Sequence, residues 1–133
     1  MRWAEAVATP DFAAFWAEYR ICVLGTVRPD GRPHAVAVGA VVDLETGLAR
    51  VITRRGSRKV ANVRAAGPAG APVTISQVEA GRWCSLSGLA VVRTEPEAVA
   101  EAERRYALRY RVPAPNPERV AIEVQVRDVV GRW

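Results

Sequence analysis

Closely spaced turn signals constrain the fold of this chain more than any other feature. Residues 28–31 (RPDG), 43–47 (DLETG) and 79–81 (EAG) each separate two runs rich in apolar residues. Proline presets φ at the second position of a turn, and glycine accepts the positive φ that many turns require. Runs joined by such short turns pair antiparallel, because a parallel pair needs a crossover of a dozen or more residues. The chain is therefore predicted to form an antiparallel sheet.

The pattern predicts the element order α-β-β-β-α-β-β-α-β within one α+β domain that spans residues 1–133. The predicted strands are residues 21–27, 32–43, 48–53, 72–78, 82–93 and 119–126. Helices are expected after Thr9-Pro10, after Ser57 as an N-cap, and from the capping-box sequence TEPE at residues 94–97. Because helices do not alternate with strands, a doubly wound dinucleotide fold is excluded. Six strands with peripheral helices fit a small barrel or a strongly curled sheet.

Composition narrows the classes of function. The chain has a formal net charge of +5, and Lys59 is its single lysine among many arginines. This excess favours an anionic partner such as a phosphate or a polycarboxylate. With His34 as the single histidine, neither a multi-histidine metal site nor a serine-protease triad is supported, and Cys22 and Cys84 are expected to be buried free thiols. No transmembrane run or signal peptide is predicted, so the expected location is the cytoplasm.

The densest chemical feature is a basic segment at the passage from a predicted strand into a predicted helix. Arg54, Arg55, Arg58 and Lys59 fall within six residues. A helix N-terminus presents free N–H groups and partial positive charge, and Ser57 and Asn62 supply further donors. The segment is therefore a candidate phosphate site. A solvated basic face is the alternative, and nucleic-acid binding is disfavoured because no aromatic residues alternate with these arginines.

Four short motifs occur in one order along the chain. Residues 26–34 read TVRPDGRPH, residues 53–63 read TRRGSRKVANV, residues 87–90 read SGLA and residues 129–131 read VVG. Together they resemble the flavin- and deazaflavin-dependent branch of the pyridoxamine-5'-phosphate-oxidase-like split β-barrel proteins. The resemblance implies a six-stranded antiparallel split β-barrel with peripheral helices. It also implies a homodimer that binds its cofactor in the groove between two barrels.

The resemblance further assigns roles to individual residues. Lys59 would pair with the cofactor phosphate, with help from Ser57, Arg58 and Asn62. Thr53 would stand near the ribityl chain or the ring edge. The strand segment Ala35, Val36, Ala37 and Val38 would line the ring with backbone groups. No catalytic side chain is indicated, and no metal is expected.

The implied activity is hydride transfer between a (deaza)flavin and a small organic substrate, with coenzyme F420 favoured over FMN as the cofactor. The surplus of arginines suits an oligoglutamate tail. Ala37, Gly39 and Ala40 stand where relatives often carry proline and a bulky aromatic, which indicates either a larger substrate pocket or a weakened ring site. A non-catalytic flavin or deazaflavin carrier is the main alternative. A basic nucleic-acid-binding module remains a third.

Overall fold

The apolar runs form the antiparallel strands that their turn signals predict. The computed structural model describes all residues from Met1 to Trp133. The strands are β1 Cys22–Val27, β2 Pro33–Val38, β3 Ala40–Asp43, β4 Leu48–Arg54, β5 Ala71–Glu79, β6 Arg82–Arg93 and β7 Arg119–Arg132. The helices are α1 Trp3–Val7, α2 Phe12–Ala17, α3 Arg58–Ala65 and α4 Pro96–Arg109.

All strands belong to one antiparallel sheet in the order β2-β1-β5-β6-β7-β4-β3. The two edge strands, β2 and β3, follow one another in the chain and are separated only by Gly39. The sheet must therefore curl until its two edges approach each other. The sheet and its helices confirm the α+β class, and the strand pairs confirm the antiparallel pairing.

The sheet has seven strands, so the predicted count of six was wrong. The run predicted as one strand, residues 32–43, is divided at Gly39, where the chain leaves β1 and pairs with β4. One continuous strand could not pair with both β1 and β4, because these two strands lie near opposite ends of the strand order. The last strand also continues six residues past the predicted end at residue 126.

Inward-facing strand residues form the core with the helices. Side chains such as Leu24, Ile75 and Ile122 meet Phe12 and Phe15 of α2, and all five are fully buried. Cys22 and Cys84 are buried and free, as expected. No helix is long and apolar enough to cross a membrane.

The N-terminal helix boundary differs from the prediction. Helix α2 begins at Phe12, after Asp11 with φ of 69°, rather than at Pro10. Thr9 ends α1 instead, since its hydroxyl donates to the Ala6 carbonyl at 2.6 Å and accepts from the Trp133 indole at 2.7 Å. This contact anchors the C-terminal residue against the N-terminal helices.

Candidate functional site

A cavity of about 410 Å³ opens where strand β4, the end of β2 and the segment after α4 meet. Three stretches of chain supply most of its wall: the end of β2 through Gly39, the passage from β4 into α3, and the loop between α4 and β7. The lining residues are Ala37, Val38, Gly39, Ile52, Thr53, Arg54, Lys59, Tyr106, Arg111, Pro113, Ala114, Asn116 and Arg119.

The cavity wall is strongly cationic. It contains four basic side chains and no carboxylate. Arg119 is neutralised by Glu103, with nitrogen and oxygen 2.7 Å apart. Arg54, Lys59 and Arg111 form no ion pair. Partial burial lowers the pKa of Lys59, and the nearby Arg54 charge lowers it further. Such a wall favours the binding of an anion.

Four of the predicted site residues meet in this cavity: Ala37, Val38, Thr53 and Lys59. Ser57 lies directly beneath them. It is buried at the N-cap of α3, and the Thr53 hydroxyl donates to its oxygen at 3.4 Å. Its side chain makes no capping hydrogen bond, so its hydroxyl proton is not committed to the helix.

The other predicted residues lie outside the cavity. Arg58 is the exposed first residue of α3. Asn62 is only 2% exposed, and its amide donates to the Thr26 hydroxyl at 2.9 Å. Ala35 borders a different groove, beside His34, and Val36 packs against the core. Cofactor contacts by these four residues stay predictions.

The backbone of β2 offers hydrogen-bond donors and acceptors that its small apolar side chains lack. This strand pairs with β1 on one side and has no strand on the other. Half of the N–H and C=O groups of an edge strand point away from the sheet without a partner. The free edge therefore supplies donors and acceptors beside the cavity, and the backbone contacts to a ring stay a prediction.

Gly39 and Ala40 are small because two tyrosines pack against them, rather than because the cavity is enlarged there. A Cβ atom on Gly39 would stand 2.7 Å from Cε2 of Tyr106 and 3.1 Å from a ring carbon of Tyr110. Ala40 is buried in the core, and its N–H donates to the Tyr110 hydroxyl at 3.1 Å. The small residues make room for a tyrosine pair whose ring centroids are 4.9 Å apart. Tyr106 of this pair then forms part of the cavity wall.

The sequence did not indicate the wall formed by Tyr106 and residues 111–119. These residues lie some fifty positions after Lys59, and the prolines at 113, 115 and 117 forbid regular structure there. Their position depends on how α4 packs across β4, which is a tertiary contact. The one local signal is that Arg111 and Arg119 flank the proline loop as basic residues.

Comparison with known proteins gives this geometry a family. The pyridoxamine 5'-phosphate oxidase family matches residues 8–132. The chain belongs to this family. It is 49% identical over 121 residues to the F420H2-dependent biliverdin reductase of Mycobacterium tuberculosis, an alignment that covers 91% of this chain and 85% of the relative.

Solved structures share the architecture. A conserved hypothetical protein from Mycobacterium tuberculosis superposes with a TM-score of 0.75 at 25% identity, covering 97% of this chain and 87% of that one. A protein described as an F420 reductase superposes with a TM-score of 0.69 at 23% identity, covering 88% and 94% of the two chains. This second likeness is one of fold.

Proposed function

We propose that the protein is an oxidoreductase that uses reduced coenzyme F420 to reduce biliverdin or a closely similar linear tetrapyrrole. One observation carries the proposal: a cavity with three unpaired cations occurs in a chain 49% identical to an F420H2-dependent biliverdin reductase. Neither half would suffice alone, because a basic cavity suits many anions and a relative's name describes only that relative.

The residues present fit a phosphate-bearing cofactor with a planar ring. Lys59 and Arg54 lie beside Thr53 on one wall, where a phosphate could receive charged hydrogen bonds. The free edge of β2 and the small side chain of Ala37 leave room for a flat ring against the backbone. Ser57 would support the phosphate end through its uncommitted hydroxyl, whereas Arg58, Asn62, Ala35 and Val36 would contact the cofactor only where it extends beyond this cavity. A bound deazaflavin supplies hydride chemistry, and the protein supplies binding and orientation.

The reduction adds a hydride and a proton to the substrate. A bound reduced deazaflavin would supply the hydride, and the proton would come from the cavity wall or from water. Besides the arginines, Lys59 and Tyr106 are the lining side chains with an ionisable proton. With Lys59 assigned to the phosphate, Tyr106 is the remaining lining side chain other than the arginines with an ionisable proton, and water is the other source.

The active form we propose is a homodimer with one cofactor groove at each side of the interface. The outer face of β2, β1, β5 and β6 is rich in small residues, and it carries exposed valines. Register places Ala37, Val23 and Ser76 in one row across this face. Ala37 also lines the cavity, so a second copy on this face would extend the cavity wall.

The test is a two-part assay on the purified chain. Fluorescence titration compares the affinities for coenzyme F420 and FMN, and biliverdin is then added to protein with the reduced coenzyme under anaerobic conditions. The proposal expects saturable F420 binding that is tighter than FMN binding, together with biliverdin-dependent reoxidation of the coenzyme.

Two results would contradict the proposal in different ways. Saturable F420 binding without turnover on biliverdin or related tetrapyrroles would favour the carrier alternative. Absence of saturable binding to either cofactor would remove the oxidoreductase function altogether.

A further inference from the structure

Arg111 is a cation that the cofactor phosphate does not account for. It lines the cavity from the segment after α4, and no carboxylate lies within ion-pairing distance of it. A phosphate carries at most about two negative charges. Lys59 and Arg54, neighbours on the other wall, already match that charge. The third free cation therefore indicates a second anionic group in the same cavity.

The surroundings of Arg111 are apolar on one side. The next residue, Val112, is 82% exposed, which is the highest value among the exposed large apolar side chains of the chain. Val112 is not among the residues that line the cavity, whereas Pro113 and Ala114 line it with apolar surface. An unpaired guanidinium beside exposed aliphatic groups suits a ligand that joins a carboxylate to an apolar body.

Arg111 and the phosphate-side cations come from different parts of the chain. Lys59 and Arg54 belong to α3 and β4, whereas Arg111 follows α4 directly after Tyr110, whose ring packs against Tyr106. A cofactor that extends from Lys59 toward the free edge of β2 leaves the loop wall to another anion, either the substrate or the oligoglutamate tail of the coenzyme. The apolar residues Pro113 and Ala114 beside Arg111 favour the substrate.

We propose that Arg111 is a specificity-determining residue that binds a carboxylate of the substrate, and that Pro113 and Ala114 receive the adjoining apolar part. The proposal rests on the proposed function, since it names a contact made by the substrate of that reaction. Biliverdin has the required chemistry, because its propionate carboxylates project from an apolar conjugated skeleton. The guanidinium would orient the substrate by its carboxylate while the reacting carbon lies against the ring.

The experiment compares Arg111→Gln with Arg64→Gln. Arg64 is an exposed arginine on α3 that lies outside the cavity and forms no ion pair, so its change removes the same charge elsewhere. Both variants are assayed with biliverdin and with biliverdin dimethyl ester, whose propionates are uncharged. The dissociation constant of coenzyme F420 is measured separately for each protein.

We expect Arg111→Gln to lower kcat/KM for biliverdin by about 10-fold to 100-fold, the range produced by losing a charged hydrogen bond. This loss should come mainly from a higher KM rather than from a lower kcat. The variant and the wild type should be alike on the dimethyl ester, coenzyme affinity should not change, and Arg64→Gln should match the wild type on both substrates. An equal loss on acid and ester would overturn the proposal. So would a weakened affinity for coenzyme F420, which would assign Arg111 to the coenzyme tail.

A binding titration separates this proposal from the proposed function. Biliverdin is added to the oxidised, coenzyme-loaded protein, and its absorbance change is followed without turnover. Binding that depends on Arg111, together with no turnover in the separate assay with reduced coenzyme, would support the carboxylate contact and contradict the reductase activity. Reduction that is indifferent to Arg111 would do the reverse, and absence of binding to the wild type would overturn the carboxylate contact.

Discussion

Lys59 sits where its own charge is disfavoured before any ligand binds. Partial burial removes water from the ammonium, and the like charge of Arg54 adds repulsion, so its pKa lies below the ordinary value of 10.5. An incoming anion relieves both effects. The lysine is therefore a binding group whose protonation is coupled to occupancy of the cavity.

This coupling predicts a pH dependence of coenzyme binding. In the free protein Lys59 is charged below its lowered pKa, so the affinity it provides is complete at lower pH and declines as pH rises through that pKa. Lys59→Arg keeps its charge and should lack the decline. Lys59→Ala should weaken binding by about 1.5–3 kcal/mol near neutral pH. Fluorescence titrations across pH check this, and the difference between wild type and Lys59→Arg cancels ionisation of the coenzyme itself.

An unchanged affinity in Lys59→Ala would remove this residue from the binding site. Parallel pH curves for the wild type and Lys59→Arg would show that the decline belongs to the ligand rather than to the lysine.

Arg109 is a second unusual cation, placed in the core rather than the cavity. It is 6% exposed and donates to the Glu18 carbonyl at 2.9 Å and to Gln77 Oε1 at 2.7 Å, and it also donates to the Ala40 carbonyl. No carboxylate pairs with it. Neutral acceptors from three separate elements thus satisfy one guanidinium, which ties α4 to the sheet.

Replacing Arg109 with alanine should therefore destabilise the fold by about 3 kcal/mol, because buried acceptors lose charged hydrogen bonds at once. Arg104→Ala is the matched control on the same helix. Its ion pair with Glu101 is largely exposed, so the cost should stay below about 0.5 kcal/mol. Urea unfolding of both variants measures the difference. Equal stabilities would mean that Arg109 is not a structural tie.

At the scale of elements, the β6–β7 pair depends on a close backbone approach. The register shifts between Ser87 and Gly88, and a Cβ on Gly88 would stand 2.1 Å from the Gln125 carbonyl oxygen. The obstacle is backbone rather than the end of a flexible side chain. This explains the glycine of the SGLA motif in physical terms: the strands could not pair here around a side chain.

Gly88→Ala should accordingly cost at least the upper end of the roughly 1–3 kcal/mol typical of overpacking. Gly81→Ala is the control in the turn before the same strand, where an added Cβ would meet nothing within 4 Å. That change should be neutral within about 0.5 kcal/mol. Thermal unfolding of the two variants measures the contrast, and a Gly88→Ala protein as stable as the control would show that β7 can shift at no cost.

The predictable part of this fold and site is the part with local causes. Turn residues specify antiparallel neighbours, so most strands were predicted to within a few residues. The placing of the segment from Thr53 to Lys59 opposite Ala35 to Val38 came instead from the family resemblance. The break at Gly39 has no such local signal, because it is required by partners at both edges of the sheet. Asn62 shows the same limit, since its donor type suggested a ligand contact and only the packed structure shows its bond to Thr26.

At the scale of the whole molecule, one face of the curled sheet is unlike the rest of the surface. Val23, Val27, Val78 and Trp83 lie on neighbouring strands and are 43–67% exposed. Between them stand small residues, including Gly25, Thr74 and Ser76. An exposed face that combines apolar side chains with small residues is unfavourable in water and suits contact with an identical copy.

The proposed dimer therefore predicts that a charge placed in this face dissociates it. Val23→Glu would place charges in an apolar interface without partners, so the chain should change from a species of twice 14.4 kDa to one of 14.4 kDa in sedimentation velocity. Leu108→Glu is the control, because Leu108 is 76% exposed but lies on α4, outside the sheet face. It should leave the mass unchanged.

Because Val23 pairs with Ala37, which lines the cavity, loss of the dimer should also weaken binding of coenzyme F420. A wild-type chain that stays monomeric while it binds the coenzyme tightly would contradict the dimer, and the cavity of a single chain would then be the complete site.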